Sequence, residues 1–173
     1  MPGRAFHLTS VWHLDATPSE VAEVLTDAAD FPRWWPEVYL GVTLTDRGDA
    51  QGIGRAVAVH SKGFLPYHLH WTGRLVEADL PHRWRITAAG DLTGQGEWRL
   101  DWTPEGTRAV YDWQVTADRP LFRLLSPLFG WLLAANHRWA MAKGEAGLRR
   151  ELARRIGGGL RAAAGQPGPA DPG

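Results

Sequence analysis

The sequence predicts an α+β protein: a curved antiparallel sheet of about seven strands wrapped around one long C-terminal helix, with two short helices between the first two strands. Three observations carry this. Residues 4–15 and most of 38–117 alternate apolar and polar side chains, the period of half-buried strands. The breaks between those runs are short and rich in Gly, Pro and Asp, which is hairpin chemistry, so the strands read as a meander. One long helical stretch, about 127–156, follows them. An antiparallel sheet normally buries one face, and only that helix is large enough to cover it.

In order along the chain, the first strand sets Phe6, Leu8, Trp12 and Leu14 on one side and His7, Thr9, His13 and Asp15 on the other. "ATPSEVAEVL" then starts a helix, with Thr17 as N-cap, Pro18 at N1 and Glu20 three residues after the cap. Val21, Val24 and Leu25 form its apolar stripe. "DAADFPRWWPEV" follows as a broken, aromatic-rich helical turn ended by Pro36. Strands are expected near 38–46, 54–61, 67–78, 83–89, 94–103 and 107–117, and residues 118–126 read as a loop. After Ile156, "GGGLRAAAGQPGPADPG" has the composition of a disordered tail. One domain over 1–156 and a tail over 157–173 are therefore expected.

Composition excludes some functions. The 173 residues carry 19 Lys+Arg and 19 Asp+Glu, so net charge is zero and nucleic acid is not an expected partner. With no cysteine there are no disulfides, thiolate metal sites or cysteine nucleophiles. The N-terminus lacks a continuous apolar signal segment, which makes the cytoplasm the expected location. The most apolar stretch, 120–135, is interrupted by Arg123, two prolines and a glycine, so no integral membrane segment is expected.

The segment "LDATPSEVAEVLTDAADFPRWWPEV" (14–38), the hairpin series after it and the helix "PLFGWLLAANHRWAMAKGEAGLRRELA" resemble the helix-grip (START-like, SRPBCC) superfamily, polyketide cyclase/dehydratase proteins in particular. The resemblance covers roughly residues 4–156. It implies an apolar cavity between sheet and C-terminal helix and a small hydrophobic molecule as partner. It does not choose a function, because such proteins bind lipids, sterols, hormones or polyketides and many are not enzymes.

Strand parity supplies the lining. Tyr67, Leu69, Trp71 and Leu75, then Trp84 and Ile86, then Trp98, Leu100 and Trp102, then Ala109, Tyr111, Trp113 and Val115 share the apolar face. The opposite face carries His68, His70, Arg74, Arg83, Arg85, Glu97, Arg99, Asp101, Asp112 and Gln114. A one-residue slip would exchange the two sets, so burial of one face fixes the register. At 100° per residue, Leu133, Ala134, His137, Met141, Leu148 and Leu152 form the inner stripe of the long helix. Leu128, Leu132 and Trp139 fall opposite, with Asn136 at their edge. That side needs cover from the 31–38 segment, the 118–126 loop, a second copy in a homodimer, or a membrane surface.

The expected ligand-binding residues are Trp34, Trp35, Tyr67, Leu69, Trp71, Trp84, Trp98, Trp113, Leu133 and Met141. The expected catalytic candidates are His137, as proton donor or acceptor, and Tyr111, as donor to a developing enolate oxygen. Against this stands a plainer reading, in which the aromatics are core and His137 is a hydrogen-bonded, half-buried histidine. His68 and His70 have i, i+2 spacing but lack a third ligand, so no metal is expected, and no cofactor motif is present. No G-x-S-x-G elbow supports a serine hydrolase. The function expected is binding of a hydrophobic, aromatic or polyketide-like molecule, with cyclisation or dehydration as the chemistry that would fit. The alternatives are a non-catalytic carrier or sensor of lipid-like ligands, and a membrane-peripheral or dimeric interaction module.

Overall fold

Seven strands form one antiparallel sheet in the order β1-β7-β6-β5-β4-β3-β2 in the computed structural model, which describes residues 5–117 and 128–164. The strands are β1 (Ala5–Leu14), β2 (Tyr39–Asp46), β3 (Ala56–Lys62), β4 (His68–Asp79), β5 (Arg83–Gly90), β6 (Leu92–Thr103) and β7 (Gly106–Ala117). Short connections make β2 to β7 a meander. β1 and β2 are consecutive in sequence yet occupy opposite edges, so the segment between them crosses the concave side of the sheet. That segment is α1 (Pro18–Thr26), a 3-10 turn (Ala28–Asp30) and α2 (Phe31–Trp34).

α1 starts where its capping residues dictate. The Thr17 hydroxyl accepts from the Glu20 N–H at 3.3 Å, and the Glu20 carboxylate accepts from the Thr17 N–H at 2.8 Å. These reciprocal bonds satisfy donors that the first helical turn leaves unpaired. Val21, Val24 and Leu25 are buried as expected.

The long helix, α3, runs Leu128–Ala164. It continues through 157–164, past the end expected at Ile156: the exposed glycines at 157–159 weaken a helix but, unlike proline, keep every N–H of its backbone ladder. The remainder of the expected tail, 165–173, and the expected loop at 118–126 lie outside the described residues.

Met141, Leu148 and Leu152 are buried on the sheet side of α3. A close approach fixes α2 there: a Cβ at Gly144 would overlap the Trp35 ring, and the Trp35 indole donates to the Ala140 carbonyl at 3.1 Å. Glu151, 3% exposed, ties the same elements together. Its carboxylate accepts from Arg33 on α2 at 2.7 and 2.8 Å and from Arg154 and Arg155 on α3. Those guanidinium bonds, Arg154 first and Arg33 next, hold its carboxyl well below the usual range against the opposing effect of burial.

The outer face carries the charged set. Arg83 and Arg85 pair with Glu77 and Glu97, and Arg99 pairs with Glu97 and Asp112. His60, His68 and His70 cluster there, with His60 Nε2 2.8 Å from His68 Nδ1 and the His60 and His70 rings stacked at 4.4 Å. One inward expectation fails. Trp102 is 62% exposed, because β6 runs on past the part of the sheet that the helices cover.

Candidate functional site

A cavity of about 340 Å³ lies between the sheet and α3. Its wall draws on two clusters of apolar side chains. One is built around Trp12, Leu25, Trp35, Trp84, Trp98 and Met141, and the other around Trp113, Val115, Phe6, Leu8 and Trp71. Strand parity delivers these rings to one face: Leu8 pairs with Trp113, Ser10 with Tyr111, and Trp84 with Trp98. Along the wall, Trp84 and Trp98 stack at 6.2 Å, Trp98 and Tyr111 at 4.6 Å, and Tyr111 and Trp113 at 5.7 Å.

Every sequence-predicted site residue except one reaches the cavity. Trp35, Tyr67, Leu69, Trp71, Trp84, Trp98, Tyr111, Trp113, Leu133, His137 and Met141 line it. Trp34 does not. It is buried behind the wall against Phe31 and Trp35, since adjacent residues in a helical turn point about 100° apart and only one of the pair can face inward.

Several polar groups reach the cavity, Thr26, Gln51, Arg55, Lys62 and Tyr67 among them. The Ser10 hydroxyl lies 3.2 Å from His137 Nε2, joining β1 to α3. Burial, with a smaller effect from the Arg138 charge, lowers the His137 pKa from 6.5 to about 4, so the imidazole is neutral near pH 7. Ser61 accepts from the Trp71 indole N–H at 3.0 Å. Tyr39 and Tyr111 both line the cavity, and burial pushes both phenols upward, which keeps them protonated hydrogen-bond donors. Tyr39 was not among the sequence-predicted residues. Last, Asn136 Oδ1 accepts from the backbone N–H of Phe64 at 2.9 Å and of Leu65 at 3.5 Å. Gly63 makes the approach possible, because a Cβ there would collide with the Asn136 amide.

This clasp answers what covers part of the second side of α3. Phe64, from the β3–β4 loop, meets the Trp139 ring edge-on at 6.1 Å, and Lys143 Nζ lies 5.9 Å above that ring. Asn136, placed by the helical wheel at the edge of the side that needs cover, therefore works as a fastener for the loop that covers part of it. Glu145 pairs with Arg149 at 2.9 Å, the ordinary i, i+4 ion pair. Among the described residues no group of three or more His, Asp or Glu side chains is arranged to hold a metal ion, and no helix is long and apolar enough to cross a membrane.

A curved antiparallel sheet gripping one helix, with an aromatic cavity between them, defines a helix-grip protein. Residues 5–156 match the family described as polyketide cyclase / dehydrase and lipid transport, and the chain belongs to that family. Among solved structures it is similar to the Zhui aromatase/cyclase from Streptomyces sp. R1128, with a TM-score of 0.72, 18% identity and coverage of 88% of this chain and 96% of that one. A START superfamily protein from Mycobacterium smegmatis matches at TM-score 0.67 and 13% identity, over 88% and 99% of the two chains. The di-domain ARO/CYC BexL from the BE-7585A biosynthetic pathway matches at TM-score 0.61 and 16% identity, over 83% of this chain and 50% of that one. At these identities the likeness is one of fold. No curated protein matches the chain by sequence.

Proposed function

We propose that this protein binds a flat, largely apolar small molecule, aromatic or polyketide-like, in the cavity between sheet and α3. The observation that carries the reading is the wall itself: five tryptophans and three tyrosines, from both sides of the cavity, surround one space of about 340 Å³. Rings of this kind offer area for a planar ligand while their N–H and O–H groups orient its polar atoms. In this reading Trp35, Trp71, Trp84, Trp98 and Trp113 sandwich the ligand, and Tyr67, Leu69, Leu133 and Met141 close around it. Trp34 supports Trp35 from behind.

A second reading adds chemistry, and His137, hydrogen-bonded to Ser10 and lining the same cavity as Tyr111, favours it. A neutral imidazole could take a proton from an activated methylene of a polyketone, while a protonated phenol donates to the enolate oxygen that forms. The enolate carbon would then attack a second carbonyl and close the ring, and the new alkoxide would take a proton back from the imidazolium. Loss of that hydroxyl with a neighbouring proton as water would leave a ring double bond. The low pKa of His137 makes it a weak base at pH 7, so its first role in this proposal is to orient the ligand.

Titration with Nile red tests the binding reading: one equivalent should bind with a blue-shifted emission, and Trp98→Ala should weaken it. Absence of binding to the folded protein would sink the proposal. Incubation with a poly-β-ketone analogue separates the two readings. A carrier returns the analogue unchanged by mass spectrometry, whereas a cyclase returns a product lighter by water that His137→Ala no longer forms.

A further inference from the structure

Charge on the sheet is mostly partitioned by face, and two cationic residues, Arg55 and Lys62 at the two ends of β3, line the cavity. Strand residues such as Arg74, Arg83, Arg85 and Arg99 lie on the outer side, where carboxylates pair with them. Arg55 sits directly before β3 on the parity of Val57, Val59 and Ser61, which line the cavity, and Arg55 lines it too. Its backbone is locked beside β4, the Leu75 N–H donating to the Arg55 carbonyl at 2.9 Å. Its guanidinium lies over Gly52.

No carboxylate among the described residues pairs with Arg55, and no Asp or Glu lines the cavity. The nearest acidic groups of that hairpin are engaged elsewhere. Asp49 accepts from the Gln51 and Ile53 N–H groups, and Asp46 pairs with Arg74. An arginine stem can lie along an apolar wall while its head stays at the water boundary. That arrangement leaves a planar, always charged, two-pronged donor beside an apolar space.

We infer that Arg55 is the anion-recognising group of the cavity, so that its ligand is an amphiphilic acid: an apolar body inside, and a carboxylate or phosphate held by the Arg55 guanidinium beside Gly52. This rests on the binding function proposed above. Carboxylate and phosphate share the bidentate geometry that a guanidinium matches, and the experiment distinguishes them.

Displacement of Nile red by two matched series provides the test: 2-naphthalenemethanol, 2-naphthoate and 2-naphthyl phosphate, and dodecanol with dodecanoate and dodecyl phosphate. At low salt one of the acids should bind about tenfold more tightly than its alcohol, a charge-assisted pair discounted for exposure. Arg55→Gln should abolish that gap and leave alcohol and Nile red binding unchanged, which also shows the variant to be folded. Arg55→Lys should keep only part of the gap. Alcohols and acids that bind equally well overturn the inference while sparing the binding function, and so does a preference that survives Arg55→Gln. Failure of Nile red and the neutral alcohols to bind would overturn the function and the inference together.

Discussion

His137 carries the clearest consequence at the scale of a single residue. Its folded pKa of about 4 lies below the ordinary 6.5, chiefly because the ring is desolvated. Above pH 6.5 the imidazole is neutral in both folded and unfolded chains, and its stability contribution is complete. As pH falls below 6.5 the unfolded chain takes up the proton first, so stability drops until the folded ring also protonates near pH 4. The loss across that window is on the order of 3 kcal/mol. Urea unfolding at a series of pH values should show it, and His137→Gln should flatten the profile between pH 6.5 and 4. A profile unchanged by the substitution would mean the ring is better solvated than its surroundings indicate. Glu151 has the same sign, but its depressed pKa places its loss at more acidic pH.

At the scale of elements, the contact of α2 with α3 turns on Gly144. In an exposed helix, Gly→Ala stabilises by about 1 kcal/mol. Here the added methyl meets the Trp35 ring, and overpacking of this kind costs about 1–3 kcal/mol. Gly144→Ala is therefore expected to lower the melting temperature, and a higher one would show that Trp35 can move aside. The same contacts explain what could be read from sequence. Alternation placed Trp84, Trp98, Tyr111 and Trp113 correctly because large rings on one parity and charges on the other leave no ambiguity. Tyr39 escaped because a bulge between Tyr39 and Gly41 breaks the alternation at the start of β2. Arg55 escaped because "RAVAVHS" carries small apolar residues on both parities, so its faces look alike. Trp34 was misplaced because the adjacent pair was assigned to the cavity together, although neighbours in a helical turn point about 100° apart. The Asn136 clasp joins α3 to a distant loop, and no local pattern announces a pairing of that range.

For the whole molecule, the cavity is an energetic liability that the rest of the structure offsets. Space of about 340 Å³ that no side chain fills gives up the dispersion contacts a fully packed core would make. The capping box, the Glu151 cluster and the paired outer face hold a frame around space that ordinary packing would fill. Its wall also has an optical property. Trp84, Trp98, Tyr111 and Trp113 lie nearly parallel in succession, with interplanar angles of 27°, 28° and 23°. Transition dipoles this close and this aligned couple, so the near-ultraviolet circular dichroism should contain a split band that Trp98→Phe removes without altering the far-ultraviolet spectrum. A single unsplit band in the native protein would contradict that alignment. A planar molecule lying against the rings would join the coupled set, making the wall a built-in chromophore that reports its own occupancy without any added dye.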